Sequence, residues 1–240
     1  MIQTYSAILT RKSLVTPDIY ILTLDLINQE LEFTAGQYII LKVPQQDGEF
    51  ARRLYSISSP PSAKGNLELV LKRIPGGVAT TYIDGIQIGT EITFDAPAGV
   101  FTMKSEPGRS VIMLAANTGI TPFRSMILDE MNKGPLKRDI RVFWGMRHFA
   151  DLYYHDEFVH MTKTNDRFYY TVCLSRDKKP YESVLNQRVD RVLVENVLPA
   201  FASSRHDYYI CGGSGVIDTL RGILLENGIA KQHIFFERFT

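Results

Sequence analysis

The chain has 240 residues, 45% of them hydrophobic, and a formal net charge of +1. That is enough for two domains with cores of their own, and the near-neutral charge gives no reason to expect a nucleic-acid partner. No apolar run approaches a membrane span and the polar start Met1-Ile2-Gln3-Thr4 lacks a signal peptide's regions, so a cytoplasmic protein is expected.

In chain order, alternating apolar and polar residues predict strands near residues 3–10, 18–26, 37–43, 53–58, 67–73 and 90–95, with Pro- and Gly-containing turns between them. This is the pattern of a small antiparallel barrel. The fourth strand carries Arg53-Leu54-Tyr55-Ser56 and is closed by Pro60-Pro61. A guanidinium for a diphosphate, a flat ring for stacking and a small hydroxyl for a polar ring edge are what a bound flavin needs. The same tetrapeptide also fits a basic edge strand with a half-buried tyrosine. Gly76-Gly77-Val78-Ala79-Thr80 comes after the fifth strand and by itself fits a hairpin turn. The sequence turns polar over Thr102–Arg109, where Pro107-Gly108 marks a junction between domains 1–103 and 108–240.

Beyond the junction, strands and helices alternate. A continuous apolar strand at 111–116 leads to a helix from Pro122 to about Met131. Strand 140–146 leads to a helix near 155–164, strand 168–175 to a helical stretch around 187–198, and strand 207–211 to a helix across 215–227, before a last strand at 233–237. Such alternation makes an open parallel sheet that binds ligands at its strand carboxyl ends. The first turn, Asn117-Thr118-Gly119-Ile120-Thr121-Pro122, places a helix N-terminus after a buried strand, which is an anion site. Gly119 would let backbone approach phosphates, Asn117 suits a positive φ, and Pro122 fits the first helical turn; an ordinary strand-to-helix turn is the competing reading. Gly145, in Phe143-Trp144-Gly145-Met146-Arg147, could let a dinucleotide lie close to backbone, whereas Trp144 is most simply a core residue. The loop Ser175-Arg176-Asp177-Lys178-Lys179-Pro180-Tyr181 offers a hydroxyl and a guanidinium to a ribose 2′-phosphate, although Asp177 adds a like charge.

Taken together and in this order, these segments resemble the ferredoxin–NADP reductase superfamily over nearly the whole chain. The resemblance implies an N-terminal antiparallel six-stranded β-barrel for flavin followed by an α/β open parallel sheet for NADP. It further implies FAD, with FMN as the alternative, on Arg53, Leu54, Tyr55, Ser56, Gly76, Gly77, Val78 and Thr80, with Phe239 at the spacing of an aromatic ring over the flavin. Ala96-Pro97-Ala98-Gly99-Val100-Phe101 is similar to the segment that closes the flavin barrel. NADPH, with NADH as the alternative, is implied on Asn117, Thr118, Gly119, Thr121, Pro122, Gly145, Arg147, Ser175, Arg176, Tyr181, Cys211 and Gly212. Tyr209-Ile210-Cys211-Gly212-Gly213 is similar to the strand end beside the nicotinamide, and Phe235–Thr240 to the family's carboxyl terminus.

The mechanism so implied is hydride transfer from nicotinamide to flavin and then delivery of single electrons, with Ser56, Cys211 and Glu237 as the catalytic candidates: Ser56 near the flavin N5, Cys211 as a positioning group and Glu237 for positioning or proton supply. Cys173 and Cys211 are the two cysteines, too few for a disulfide framework or a four-thiolate iron–sulfur cluster in this sequence, and the five histidines show no metal-ligand spacing. No metal site is expected. A monomer with a separate acceptor such as ferredoxin, flavodoxin or an oxygenase component is expected, with Arg52, Lys72 and Arg73 either facing an acidic carrier or lying on a solvated strand face. Two alternatives stay open: a reductase of diffusible flavin, and a non-catalytic electron-relay subunit.

Overall fold

The computed structural model describes residues 2–104, 108–178, 183–202 and 205–239. They form two compact units, Met1–Met103 with Thr121–Asn132, and Lys104–Ile120 with Lys133–Thr240.

The first unit contains β1 (Gln3–Thr16), β2 (Ile19–Leu26), β3 (Tyr38–Pro44), β4 (Phe50–Ser56), β5 (Asn66–Lys72), α1 (Val78–Gly85) and β6 (Glu91–Ala98). The six strands are antiparallel in the order β4-β3-β6-β1-β2-β5. A bridge between Ile57 and Leu69, with the Ser58 N–H on the Glu68 carbonyl at 2.8 Å, joins the end of β4 to β5 and closes the sheet on itself. Leu9, Leu24, Ile39 and Phe94 are fully enclosed inside. β1 runs past the expected end at residue 10 because register shifts at Leu9/Arg11 and Leu14/Thr16 exchange its inward and outward faces, which breaks the sequence alternation without ending the ladder. β6 likewise continues through Pro97: the register on β3 shifts between Tyr38 and Ile40, so the missing N–H falls at a bulge.

The second unit contains β7 (Ser110–Ala116), β8 (Ile140–Met146), α3 (His155–Thr164), β9 (Phe168–Leu174), β10 (Val184–Leu185), α4 (Val189–Val192), α5 (Leu198–Phe201), β11 (His206–Gly213), α6 (Ser214–Glu226) and β12 (Ile234–Phe239). The strands are parallel, in the order β10-β9-β8-β7-β11-β12. β7, whose Val111–Ala115 side chains are fully buried, is the central strand that its unbroken apolar run predicts. β8 lies on one side of it and β11 on the other, so the strand order reverses at β7 and opens a crevice at the carboxyl ends. Between α4 and α5 the chain widens into a π-turn over Leu193–Val197, just before Pro199, which has no N–H to donate to a carbonyl four residues back.

α2 (Ile120–Asn132) follows β7 in the chain, yet from Thr121 it is counted with the first unit. There Arg124 Nη1 donates to the Ser58 carbonyl and meets Glu68, each at 3.0 Å, and Ser125 Oγ donates to the Ser59 carbonyl at 2.7 Å. Among the described residues no helix is long and apolar enough to cross a membrane, which says nothing of strands.

Candidate functional site

In the first unit, β4 is the edge strand that presents the tetrapeptide. Its register sets Tyr55 opposite Ile39 and Arg53 opposite Leu41, so both project to the face that carries the core. Tyr55 packs its ring on that core, and burial pushes its phenol up to about 12, so it stays a neutral ring with a hydroxyl donor. Arg53 remains exposed, holding the Arg52 carbonyl with Nη1 at 2.8 Å. Leu54 points to the opposite face and is 58% exposed, while Ser56 is buried where the strand ends beside Tyr38.

The Gly76-Gly77 segment starts a helix and is not a hairpin. Gly76 has φ +71°, and Gly77 is the N-cap of α1 with no side chain capping it, so the first-turn N–H groups over Val78–Thr80 have the character of an anion-binding helix start. Thr80 Oγ1 accepts the Ile74 N–H at 2.9 Å, which closes the approach to the helix and leaves the hydroxyl proton to donate. The other end of α1 is clamped. Lys12 Nζ donates to the carbonyls of Ile83 and Ile86 at 2.9 and 2.7 Å, and Asp84 accepts from the Tyr20 hydroxyl at 2.7 Å and from Arg73 at 3.0 Å. The Tyr20 hydrogen bond, together with Arg73, holds the Asp84 carboxyl below the usual range. Arg73 is thus engaged within the chain, as are Lys72, 3.8 Å from Asp18, and Arg52, 3.9 Å from Asp95.

In the second unit, the carboxyl ends of β7, β8 and β11 come together. Asn117 adopts φ +52° in a short helical turn over Asn117–Gly119, before α2. Gly119 is required for a reason the sequence does not show: a Cβ there would lie 2.1 Å from the Cys211 carbonyl oxygen. The close approach it permits is therefore to β11 of the same chain. At Gly145 a Cβ would meet Val189 at 3.1 Å, so this glycine makes room for α4. Gly212 lies against Ala116, which completes the meeting of β7 and β11. Thr118 is half-buried, and Thr121 and Pro122, at the start of α2, are buried.

Ser175 and Arg176 are exposed, and their N–H groups donate to the carbonyls of Met146 and Arg147 at 3.0 Å each, which carries the β8–β9 pairing past the strand ends. Arg147 is exposed beside them. Asp177, the like charge that the sequence places in this loop, has its carboxylate turned to the β8 side, where it accepts from the Phe149 N–H at 2.6 Å and pairs with His148 Nδ1 at 2.8 Å. Tyr181 lies outside the described residues.

Cys211 is fully buried opposite Glu237 of β12. Burial first, then the neighbouring Glu237 carboxylate, holds its thiol well above the ordinary range, so it is a neutral packing group. Phe239 is half-buried, opposite Gly213. Cys173 is also enclosed, and burial pushes it up to about 12. Neither thiol should react with an aromatic disulfide reagent in the folded protein at neutral pH, and both should react in denaturant; stoichiometric labelling of the native chain would contradict the burial. Among the described residues no three His, Cys, Asp or Glu side chains cluster as a metal site.

The donor set fits two anionic cofactors. The first unit offers an uncapped glycine-initiated helix, an exposed guanidinium and a core-mounted tyrosine; the second offers a left-handed turn at the reversal point of a parallel sheet.

Comparison with known proteins agrees. The oxidoreductase FAD-binding domain family matches residues 6–103, and the oxidoreductase NAD-binding domain family matches residues 113–221. The reductase component of propane 2-monooxygenase from Mycolicibacterium goodii is 32% identical over 219 residues, covering 88% of this chain and 60% of that protein. Among solved structures, the cytochrome P450 reductase of Amycolatopsis superposes with a TM-score of 0.89 at 25% identity, covering 100% of this chain and 70% of that one. A ferredoxin NADP+ reductase from Neisseria gonorrhoeae with bound FAD and NADP shares the fold, with a TM-score of 0.81 at 21% identity over 99% of this chain and 98% of that one. The chain spans about 60% of the length of the propane 2-monooxygenase relative. Residues 6–103 belong to the oxidoreductase FAD-binding domain family and residues 113–221 to the oxidoreductase NAD-binding domain family, and the chain shares the fold of the ferredoxin NADP+ reductase.

Proposed function

We propose that this chain draws hydride from NADPH to FAD and passes electrons singly to a separate protein acceptor, an oxygenase component. What supports the reading is the presence, in one chain, of the uncapped glycine start of α1 within a segment matching an FAD-binding domain and of the left-handed turn at Asn117 within a segment matching an NAD-binding domain. The oxygenase partner is argued from the relatives, a reductase component of propane 2-monooxygenase among them. We assign flavin binding to domain 1–103 and nucleotide binding to domain 108–240.

Bound FAD would supply the chemistry that turns a two-electron donor into single-electron deliveries. The chain's own residues would do the rest. Arg53 and the α1 N–H groups, with the Thr80 hydroxyl, hold the diphosphate; Tyr55 offers its ring face; Ser56, buried at the end of β4, donates a hydrogen bond at the ring edge. Lys12 and Asp84 keep α1 in place from behind. In the nucleotide domain the Asn117–Gly119 turn meets the coenzyme diphosphate, while Cys211 and Glu237 shape the nicotinamide side. Ser175 and Arg176 receive the 2′-phosphate, which makes NADPH the preferred donor. Replacing Arg176 by Ala should weaken NADPH by about 1.5–3 kcal/mol through loss of a charge-assisted contact and leave NADH nearly unchanged; equal losses in steady-state titrations with the two coenzymes would remove Arg176 from this role.

The function itself is tested by turnover with a one-electron dye. NADPH should drive dye reduction while flavin stays with the protein through gel filtration. Flavin eluting freely, with activity restored only by added flavin, would show a diffusible-flavin reductase in its place.

A further inference from the structure

Trp144, the single tryptophan of the chain, is fully buried, edge-on to Tyr153 with ring centroids 5.1 Å apart and near Phe158 at 6.4 Å. Packing explains the ring and leaves the indole N–H to be placed. That N–H donates to the Asn117 carbonyl at 2.8 Å, and the Tyr153 hydroxyl reaches the same oxygen at 3.5 Å. Asn117 is exposed and sits at φ +52°, a left-handed conformation that a non-glycine residue keeps only where its surroundings fix it. The carbonyl of residue 117 belongs to one rigid plane with the N–H of residue 118, so pinning the oxygen fixes the orientation of the whole peptide unit within the turn. That peptide is part of the Asn117–Gly119 turn to which the coenzyme diphosphate is assigned above.

The same strand reaches a second part of the candidate site. Just after Trp144, the carbonyls of Met146 and Arg147 receive the N–H groups of Ser175 and Arg176 at 3.0 Å each. The end of β8 therefore ties the phosphate turn, by a side chain, to the 2′-phosphate loop, by backbone.

We propose that Trp144 is a positioning residue for coenzyme binding: its indole N–H fixes the Asn117 peptide so that the turn meets the diphosphate that NADPH and NADH share. This rests on the nucleotide-binding reading of that turn. Trp144 differs from Arg176 in its consequence, since a diphosphate is common to both coenzymes and a 2′-phosphate is not. Losing the indole donor weakens both coenzymes by the same factor.

The test is calorimetric titration of the flavin-loaded full chain with NADP+, NAD+ and adenosine 2′-phosphate, the last of which carries no diphosphate. In Trp144→Phe the dissociation constants of NADP+ and NAD+ should each rise about tenfold, or about 1.4 kcal/mol, while that of adenosine 2′-phosphate changes by less than about twofold. Asn117→Ala, which leaves the core untouched and disfavours the left-handed conformation, should weaken both dinucleotides about fivefold and serves if Trp144→Phe does not fold. Unchanged dinucleotide affinity in the variants overturns the proposal, as does a proportional loss of adenosine 2′-phosphate, which would mark a merely structural role. Wild-type protein that binds neither dinucleotide would instead overturn the functional reading on which the proposal stands, and that result appears before any variant is made.

Discussion

Gly119→Ala should be among the most damaging single-methyl changes in the chain. The added carbon would lie 2.1 Å from the carbonyl oxygen of Cys211, 2.5 Å from its carbonyl carbon and 3.0 Å from the Gly212 nitrogen. All three are backbone atoms of β11, a strand paired on one side with β7 and on the other with β12, so none can retreat without breaking a ladder. Overpacking of a tight site costs about 1–3 kcal/mol and more where the neighbour is rigid; about 3 kcal/mol is expected here. Gly145→Ala is the matched control. Its carbon would meet Val189 Cγ1 at 3.1 Å and Cβ at 3.2 Å, looser contacts that a shift of a few tenths of an ångström relieves, and about 1 kcal/mol should suffice. Because the clash lies where β7 and β11 open toward the nucleotide turn, Gly119→Ala should also weaken NADP+ by more than about tenfold. Urea denaturation followed by the emission of the sole tryptophan, which lies in the second unit, reads the stability difference; equal midpoints for the two variants would contradict the geometry.

Asp207→Ala should cost as much or more by a different cause. Asp207 is 4% exposed in its side chain and accepts from Arg109 Nε at 2.7 Å, with His233 Nδ1 at 2.9 Å from the same oxygen. Arg109 is itself only 13% exposed and uses Nη2 on the His206 carbonyl. Removing the carboxylate strands a guanidinium out of water, and breaking a buried pair from one side costs about 3–5 kcal/mol. The cluster joins the segment before β7 to the start of β11 and the approach to β12, so its loss loosens the amino-terminal edge of the sheet. The exposed Arg188–Asp190 pair is the contrast, with Arg188 66% exposed in its side chain: Arg188→Ala should cost no more than about 1 kcal/mol. Comparable losses from the two substitutions would show that burial does not set the value of the Asp207 cluster.

Period and punctuation in the sequence carry most of the fold. The apolar run Val111–Ala116 announces a strand buried on both faces, and the alternations before residue 100 announce strands buried on one. Features with no period stay hidden. β10 is two residues long, too short for any alternation, and the π-turn before Pro199 follows from one residue's lost hydrogen bond. Thr121–Asn132 of α2 lies with the first unit, where Arg124 and Ser125 meet partners more than fifty residues away that no local pattern announces.

The candidate site was legible in residue types and less so in their reasons. Asn117 invites a left-handed turn and takes one, but the donor that holds it is on Trp144, whose ring reads as ordinary core and conceals its N–H. Gly119 suggests close approach of backbone, and the structure adds a partner that the sequence does not name, the Cys211 backbone. Asp177 reads as a loop charge beside Arg176, and the sequence does not show that its carboxylate is held by His148 and the Phe149 N–H. In each case a long-range partner decides what a local motif means.

The central claim, that a flavin in this chain accepts hydride from a nicotinamide coenzyme bound to the same chain, is tested most directly by adding NADPH without air to the purified yellow protein. The account predicts that the visible flavin absorbance bleaches with one equivalent of NADPH, faster than with NADH, and returns when a one-electron acceptor is admitted. Protein that carries flavin and keeps its full visible spectrum in excess NADPH and NADH would contradict it.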